Sequence, residues 1–188
     1  MPHSASTRQQ ILKTALALFS TQGYDATSLR EIADQLNLTK AALYYHFPAK
    51  EHLVLELTRP WLEAISQLIE THRPDTAVEE NDRRRRLVEA YVDIVLEHHA
   101  VLRFLTADPA AQKHPDVGKR GLALVLALQD ALRGPVDDDV ERIRVSCAVG
   151  AIHATAIMDE PALAIARPIV IAVALEALGV EPARSAAK

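Results

Sequence analysis

Apolar residues recur along this chain with the period of an α-helix and nowhere with the two-residue alternation of a strand. Ile11, Leu12, Ala15, Leu16 and Phe19 form one stripe, which predicts a helix capped by Ser6 or Thr7 after a short arm and stopped by Gly23. Leu29, Ile32, Ala33 and Leu36 make a second stripe behind a capping box of Ser28 and Glu31. Asn37 tolerates the left-handed backbone that ends a helix, Leu38 plugs the turn, and Thr39 offers a hydroxyl to cap a third helix. Pro48 cannot continue that helix, so a fourth opens at about Lys50 and runs to about His72 on Leu53, Leu57, Trp61, Ile65, Leu68 and Ile69. Further helices are predicted over about 83–99, 101–107, 116–132, 137–158 and 161–178, with proline-marked breaks between them. The pattern defines an all-α chain of about nine helices.

The second and third helices are short, and the turn between them has the length that joins helices at a steep angle. In the third, Leu43 and Phe47 lie one turn apart and can bury against Ile32, Ala33 and Leu36. Lys40, Ala41, Tyr44 and Tyr45 then face outward. Two exposed tyrosines and a lysine suit a DNA duplex: cations and hydroxyls meet phosphate, while Ala or a ring edge meets a thymine methyl. The helix opening at Lys50 adds free amides and an ammonium, a natural phosphate site.

With these residues in place, the chain resembles the TetR (tetracycline repressor-like) family of bacterial transcriptional regulators. The resemblance covers roughly residues 7 to 56, rests on Leu43-Tyr-Tyr-His-Phe-Pro-Ala-Lys50, and extends to Ile11, Ala15, Leu18, Phe19, Gly23, Tyr24 and Thr27. Asn37 stands where glycine is common in the turn, and Ala41 where glycine is common in the recognition helix. The resemblance implies a homodimer, an effector cavity in the larger domain and no enzymatic activity.

The last two predicted helices have their own logic. Ile143, Cys147, Gly150, Ala151, Ala154 and Met158 share a face of mostly small side chains, which permits close helix approach. The final helix is apolar nearly all round, with Ala166, Ile169, Val173 and Ala177 on one side, so it must be covered on every side. A twofold-related copy is the simplest cover, giving an intermolecular four-helix bundle.

Composition sharpens this picture. Of eight aromatic residues, five (Phe19, Tyr24, Tyr44, Tyr45, Phe47) fall in the first fifty, so the remainder packs with aliphatic side chains. The formal charge of −4 is unusual for a nucleic-acid-binding protein. Residues 1–50, however, set Arg8, Lys13, Arg30, Lys40 and Lys50 against Asp25, Glu31 and Asp34, a local charge of +2. A lone Cys147, a polar start without a signal-peptide pattern and no apolar run long enough for a membrane span lead to a cytoplasmic expectation.

Alternative chemistries are weak. His98 and His99 point about 100° apart on a helix, and no zinc-type spacing includes His72, His114 or His153, so no metal or cofactor is expected. Cys147 and His153 fall on different helix faces, which leaves no catalytic pair. Arg83 to Arg86 encircle their helix rather than striping it and are read as solvated, paired with Glu79, Glu80 or Asp137 to Asp139. A histidine-based sensor or enzyme, or a protein-interaction module, remain the competing classes.

The expected organisation is a DNA-binding domain over 1–49, an effector and dimerisation domain over 50–180, and a disordered tail over 181–188. The function expected is that of a dimeric, ligand-responsive repressor reading a near-palindromic operator in double-stranded DNA. Thr27, Ser28, Tyr44, His46 and Lys50 are assigned to phosphates, Thr39, Lys40, Ala41 and Tyr45 to base edges, with Arg30 beside them. Trp61, Ile65, Tyr91, Val95, His98, Phe104, Leu126 and Gln129 are candidates to surround a small, largely apolar effector.

Overall fold

A computed structural model describes residues 3–72, 79–112, 115–134 and 138–180. Among the described residues every regular element is helical: α1 (His3–Gln22), α2 (Leu29–Gln35), α3 (Lys40–His46), α4 (Lys50–Thr71), α5 (Glu80–Glu97), α6 (His99–Ala107), α7 (Pro109–Gln112), α8 (Pro115–Leu132), α9 (Asp139–His153) and α10 (Glu160–Ala177). A 3₁₀ turn, Ala154–Ile157, follows α9. None of these helices is long and apolar enough to cross a membrane.

The local signals in the sequence act as expected in the first third. Ser28 Oγ accepts the Glu31 amide at 3.2 Å while Glu31 Oε2 accepts the Ser28 amide at 3.4 Å, completing the capping box. Asn37 adopts φ +53, and the Leu38 amide reaches back to the Ala33 carbonyl at 2.9 Å, which terminates α2. Thr39 Oγ1 then accepts the Ala42 amide at 3.1 Å and starts α3.

Several boundaries differ from expectation. α1 begins at His3, so the expected arm is largely helical. α5 begins at Glu80 rather than Arg83, because Glu79 caps it through the Asp82 amide. The helix expected to reach Met158 ends at His153 and tightens into the 3₁₀ turn, where the Thr155 hydroxyl donates to the Ile152 carbonyl at 2.8 Å. α7 is an additional element: Asp108 closes α6 and caps a new turn that begins with Pro109. The tail over 181–188 lies outside the described residues.

Two compact units make up the chain, Met1–Pro60 with Ala100–Gly121, and Trp61–His99 with Leu122–Lys188. The expected division at 49/50 coincides with the start of α4, but the first unit continues to Pro60 and takes in α6 and α7. Pro60 lies inside α4 and has no N–H, so the helical ladder lacks one bond where the chain leaves the first unit.

The core of the first unit comprises Ile11, Ala15, Phe19, Ile32, Ala33, Leu43, Phe47, Leu53 and Val54, joined by Phe104, whose ring stacks on Phe19 at 5.4 Å. In the second unit α10 packs on α9 and α5, and Arg167 grips Asp93 through two hydrogen bonds of 2.6 and 2.9 Å. That guanidinium holds the Asp93 carboxyl below its usual range.

Arg83 and Arg84 are buried, not solvated as expected. Arg83 pairs with Glu80 and donates to the Ala131 carbonyl at 2.7 Å, near the end of α8. Arg84 meets Glu141 at 2.6 Å, and the same carboxylate oxygen accepts the Gly134 amide at 2.8 Å. A buried charge persists only when paired, and Glu80 and Glu141 supply the counter-charges.

Candidate functional site

The third helix has two contrasting sides. Leu43 is fully buried and Phe47 nearly so, whereas Tyr45 is 84% exposed and Tyr44 40%. Thr39, Lys40 and Ala41 are exposed on the same short helix and its cap, and Lys40 Nζ stands 5.4 Å from the Tyr44 ring centroid. His46 is half-buried beside Tyr45, with ring centroids 5.4 Å apart. This arc offers a cation, hydroxyls, a methyl and a ring edge, the inventory required to meet phosphates and base edges in a major groove.

Sequence reasoning missed the device that holds this helix from below. Arg8, on α1, donates from Nη1 to the His46 carbonyl at 3.2 Å, pairs through Nη2 with Glu56 of α4 at 2.6 Å, and lies 4.4 Å over the Phe47 ring centroid. One guanidinium thus ties α1, the end of α3 and α4 together. Its signal was its register, one turn before Ile11 and Leu12 on the apolar side of α1.

Lys50 is engaged internally. Its ammonium donates to the carbonyls of Tyr24 at 2.7 Å, Thr27 at 3.0 Å and Asp25 at 3.4 Å, and lies 4.2 Å over the Tyr24 ring centroid. An ammonium has three donors, and here all have carbonyl partners. Lys50 therefore positions the entry to α2, instead of presenting a free charge to phosphate. Burial, reinforced by Glu51, Asp25 and Asp108, pushes the Tyr24 phenol up to about 12.

Thr27 also departs from expectation. It is buried, its hydroxyl donates to the Gly23 carbonyl at 2.8 Å and it accepts from Gln22 Nε2 at 3.1 Å, so its side chain closes the turn after α1. Ser28 remains exposed at the N-terminus of α2, and Arg30 is exposed with its guanidinium 3.7 Å from Asp34.

The expected effector residues fall into separate groups. Trp61, Ile65, Tyr91 and Val95 are buried in the second unit, and Trp61 Nε1 is buried without an acceptor among the described residues. His98 caps α5 and, like Gln129, is half-buried. Phe104 belongs to the first unit, where its ring stacks on Phe19. Leu126 is 52% exposed and is no part of an interior wall. His153, which the periodicity did not single out for this cavity, shares a hydrogen bond with the Tyr91 hydroxyl.

The expected association face is largely uncovered. Ile143, Cys147, Gly150 and Ala154 are exposed, as are Ile169 and Val173 of α10, while Ala151, Met158 and Ala177 are half-buried. Ile157 and Ile165 extend the apolar surface, at 71% and 63% exposure. Ala166 instead turns inward and is 4% exposed, because it shares the inner side of α10 with Val170 and Ala174.

Two short capped helices, joined by the turn at Asn37 and showing an exposed polar-aromatic arc on the second, define a helix-turn-helix. Residues 11–57 match the family model of "Bacterial regulatory proteins, tetR family". The probable acrEF/envCD operon repressor of Escherichia coli (strain K12) is 35% identical over 107 residues, spanning 53% of this chain and 46% of that protein. The transcriptional repressor KstR2 of Mycobacterium tuberculosis (strain CDC 1551 / Oshkosh) is 34% identical over 97 residues, covering 50% and 47% respectively. The aligned stretch thus spans about half the length of these curated relatives. The solved structure of KstR2 superimposes with a TM-score of 0.69 over 89% of this chain and 93% of that one at 21% identity. A TetR-family regulator from Bordetella parapertussis 12822 does so with a TM-score of 0.69 over 92% and 94% at 20% identity. Residues 11–57 thus carry a tetR-family DNA-binding segment, and the chain shares the all-helical fold of these solved regulators.

Proposed function

We propose that this protein is a dimeric repressor that reads a near-palindromic operator with two copies of α3 and leaves it when a small, largely apolar effector occupies the second unit. The observation that carries the reading is the arc of Lys40, Ala41, Tyr44 and Tyr45, exposed above the buried Leu43 and Phe47. The relatives described as repressors support repression over activation. Such a protein works beside the chromosome, in the bacterial cytoplasm.

The apolar face of Ile143, Cys147, Gly150, Ile165, Ile169 and Val173 supports a twofold pairing through α9 and α10. That pairing would set two recognition helices about one DNA turn, roughly 34 to 36 Å, apart. The buried Trp61 N–H, without an acceptor among the described residues, favours an effector that carries a carbonyl or hydroxyl oxygen on an otherwise apolar body. Repression and release are linked by differential affinity: the effector must prefer the conformer that fits the operator badly.

Gel-shift titration on a duplex from the region upstream of the protein's own gene, repeated over a salt series, tests DNA reading. With Arg8 and Lys50 engaged internally, Arg30 and Lys40 are the cations that face outward on α2 and α3. A dimer then neutralises about four phosphates, and log K falls with log salt at a slope near −4. A salt-independent interaction, or none, overturns the reading.

A further inference from the structure

We propose that Asp108 is a positioning residue through which the regulatory part of the chain sets the reading head. This rests on the DNA-reading function above. Asp108 closes α6, its amide donating to the Phe104 carbonyl at 3.0 Å. Its carboxylate then serves two segments. Oδ1 accepts the amides of Ala110 at 2.9 Å and Ala111 at 3.4 Å, which starts α7, and Oδ2 accepts the Tyr24 amide at 2.6 Å, 84 residues away in sequence.

Tyr24 is itself the junction of the head. Its carbonyl accepts Lys50 Nζ from α4 and the Thr27 amide that leads into α2, and its ring meets Phe19 edge-on at 5.3 Å. The Phe19–Phe104 stack runs beside this hydrogen bond, so α6 touches the end of α1 through one apolar and one charged contact. Phe104 on α6 and Asp108, which closes it, lie one turn apart, which fixes rotation as well as distance. Only the charged one is directional enough to register a shift of the corner between α6 and α7.

Chain order gives this contact its consequence. Ala100–Gly121 belongs to the first unit, yet the chain enters it from α5 and leaves it along α8, both rooted in the second. A movement of α5 or α8 is therefore delivered covalently to Asp108, and from Asp108 to Tyr24. α4 provides a second route, weakened at Pro60 by the missing bond.

Asp108→Ser separates coupling from capping, since serine caps a helix well but is too short to hold both partners. Asp108→Asn, with one carbonyl oxygen, can serve either partner but not both and stands in if the serine variant misfolds. Hydrogen exchange read by mass spectrometry on the full-length protein follows peptides over 20–28, 100–112 and α10. In Asp108→Ser, exchange over 20–28 should rise about tenfold or more, the loss of one charge-assisted bond, while α10 stays unchanged. Binding of the upstream duplex should slow exchange over 100–112 in the wild type and fail to do so in the variant, even at duplex concentrations that saturate it.

Unchanged exchange over 20–28 in both variants overturns the proposal, as does equal DNA-induced protection over 100–112 in wild type and variant. A wild type that binds no duplex overturns the DNA-reading function and with it the coupling to DNA. The exchange over 20–28, measured without DNA, still decides separately whether Asp108 holds the head.

Discussion

The Tyr91 hydroxyl and His153 Nε2 share a hydrogen bond inside the second unit, although 62 residues separate them in sequence. Burial alone pushes the phenol up and the imidazole down, so both are uncharged in the fold. The phenol is the stronger donor and the neutral imidazole the better acceptor, which assigns the proton to Tyr91.

Folding stability should therefore show a plateau. The unfolded chain binds the extra proton on His153 once pH falls below its ordinary 6.5, whereas the folded chain resists it, so stability is lost as pH falls through the depressed folded value. At the alkaline end the unfolded Tyr91 releases its proton above 10.0 while the folded one retains it, so stability is lost again as pH rises. Urea titrations across pH check both limbs, and His153→Gln, which keeps an acceptor for Tyr91, should flatten the acid limb.

The Arg84–Glu141 pair is buried on both sides, with side chains 7% and 10% exposed. Glu141→Gln leaves a buried guanidinium without its counter-charge and should cost about 3 kcal/mol or more. The double change Arg84→Met with Glu141→Leu removes both charges and should recover most of that loss. Chemical denaturation of the single and double variants measures the coupling; additive losses would show the two sites to be independent.

On the reading head, Lys40→Ala and Tyr45→Ala should leave thermal stability near wild type but weaken operator binding and relax sequence preference, because both side chains are exposed. Lys50→Ala acts differently. It removes one donor from each of three carbonyls and should cost about 1 to 2 kcal/mol of stability as well as DNA affinity for every sequence. Melting curves beside competition gel shifts separate the two behaviours.

Val173→Glu and Ala154→Glu place a charge on the uncovered face of α9, its 3₁₀ extension and α10. Each should give a monomer of unchanged helical content that no longer binds the operator, although the reading head is intact. Sedimentation equilibrium at micromolar concentration reads the association directly, and a dimeric charge variant would exclude this face as the interface.

Local order was legible because its causes are local. The capping box at Ser28 and Glu31, the left-handed stop at Asn37, the Thr39 cap and the burial of Leu43 and Phe47 depend on neighbours within about two turns, and one-dimensional spacing encodes those neighbours. The exposure of Tyr45 follows from the same periodicity, since a short helix that buries one side must show the other.

What spacing could not supply is the partner across the fold. Arg8 reaches a carbonyl 38 residues away, Lys50 reaches carbonyls 23 to 26 residues back, and Asp108 finds Tyr24 across 84. Charge counting alone would leave all these groups in solvent. Phe104 and Ala166 illustrate the same limit for apolar side chains: periodicity identifies the buried side of a helix, but the surface that buries it is chosen when the helices pack. The sequence by itself determined the helical class, the ends of α2 and α3 and the exposed arc of α3. Tertiary structure decided which cations stay exposed on α2 and α3 and which hold the helices together, because a long charged side chain takes whichever acceptor packing brings within reach.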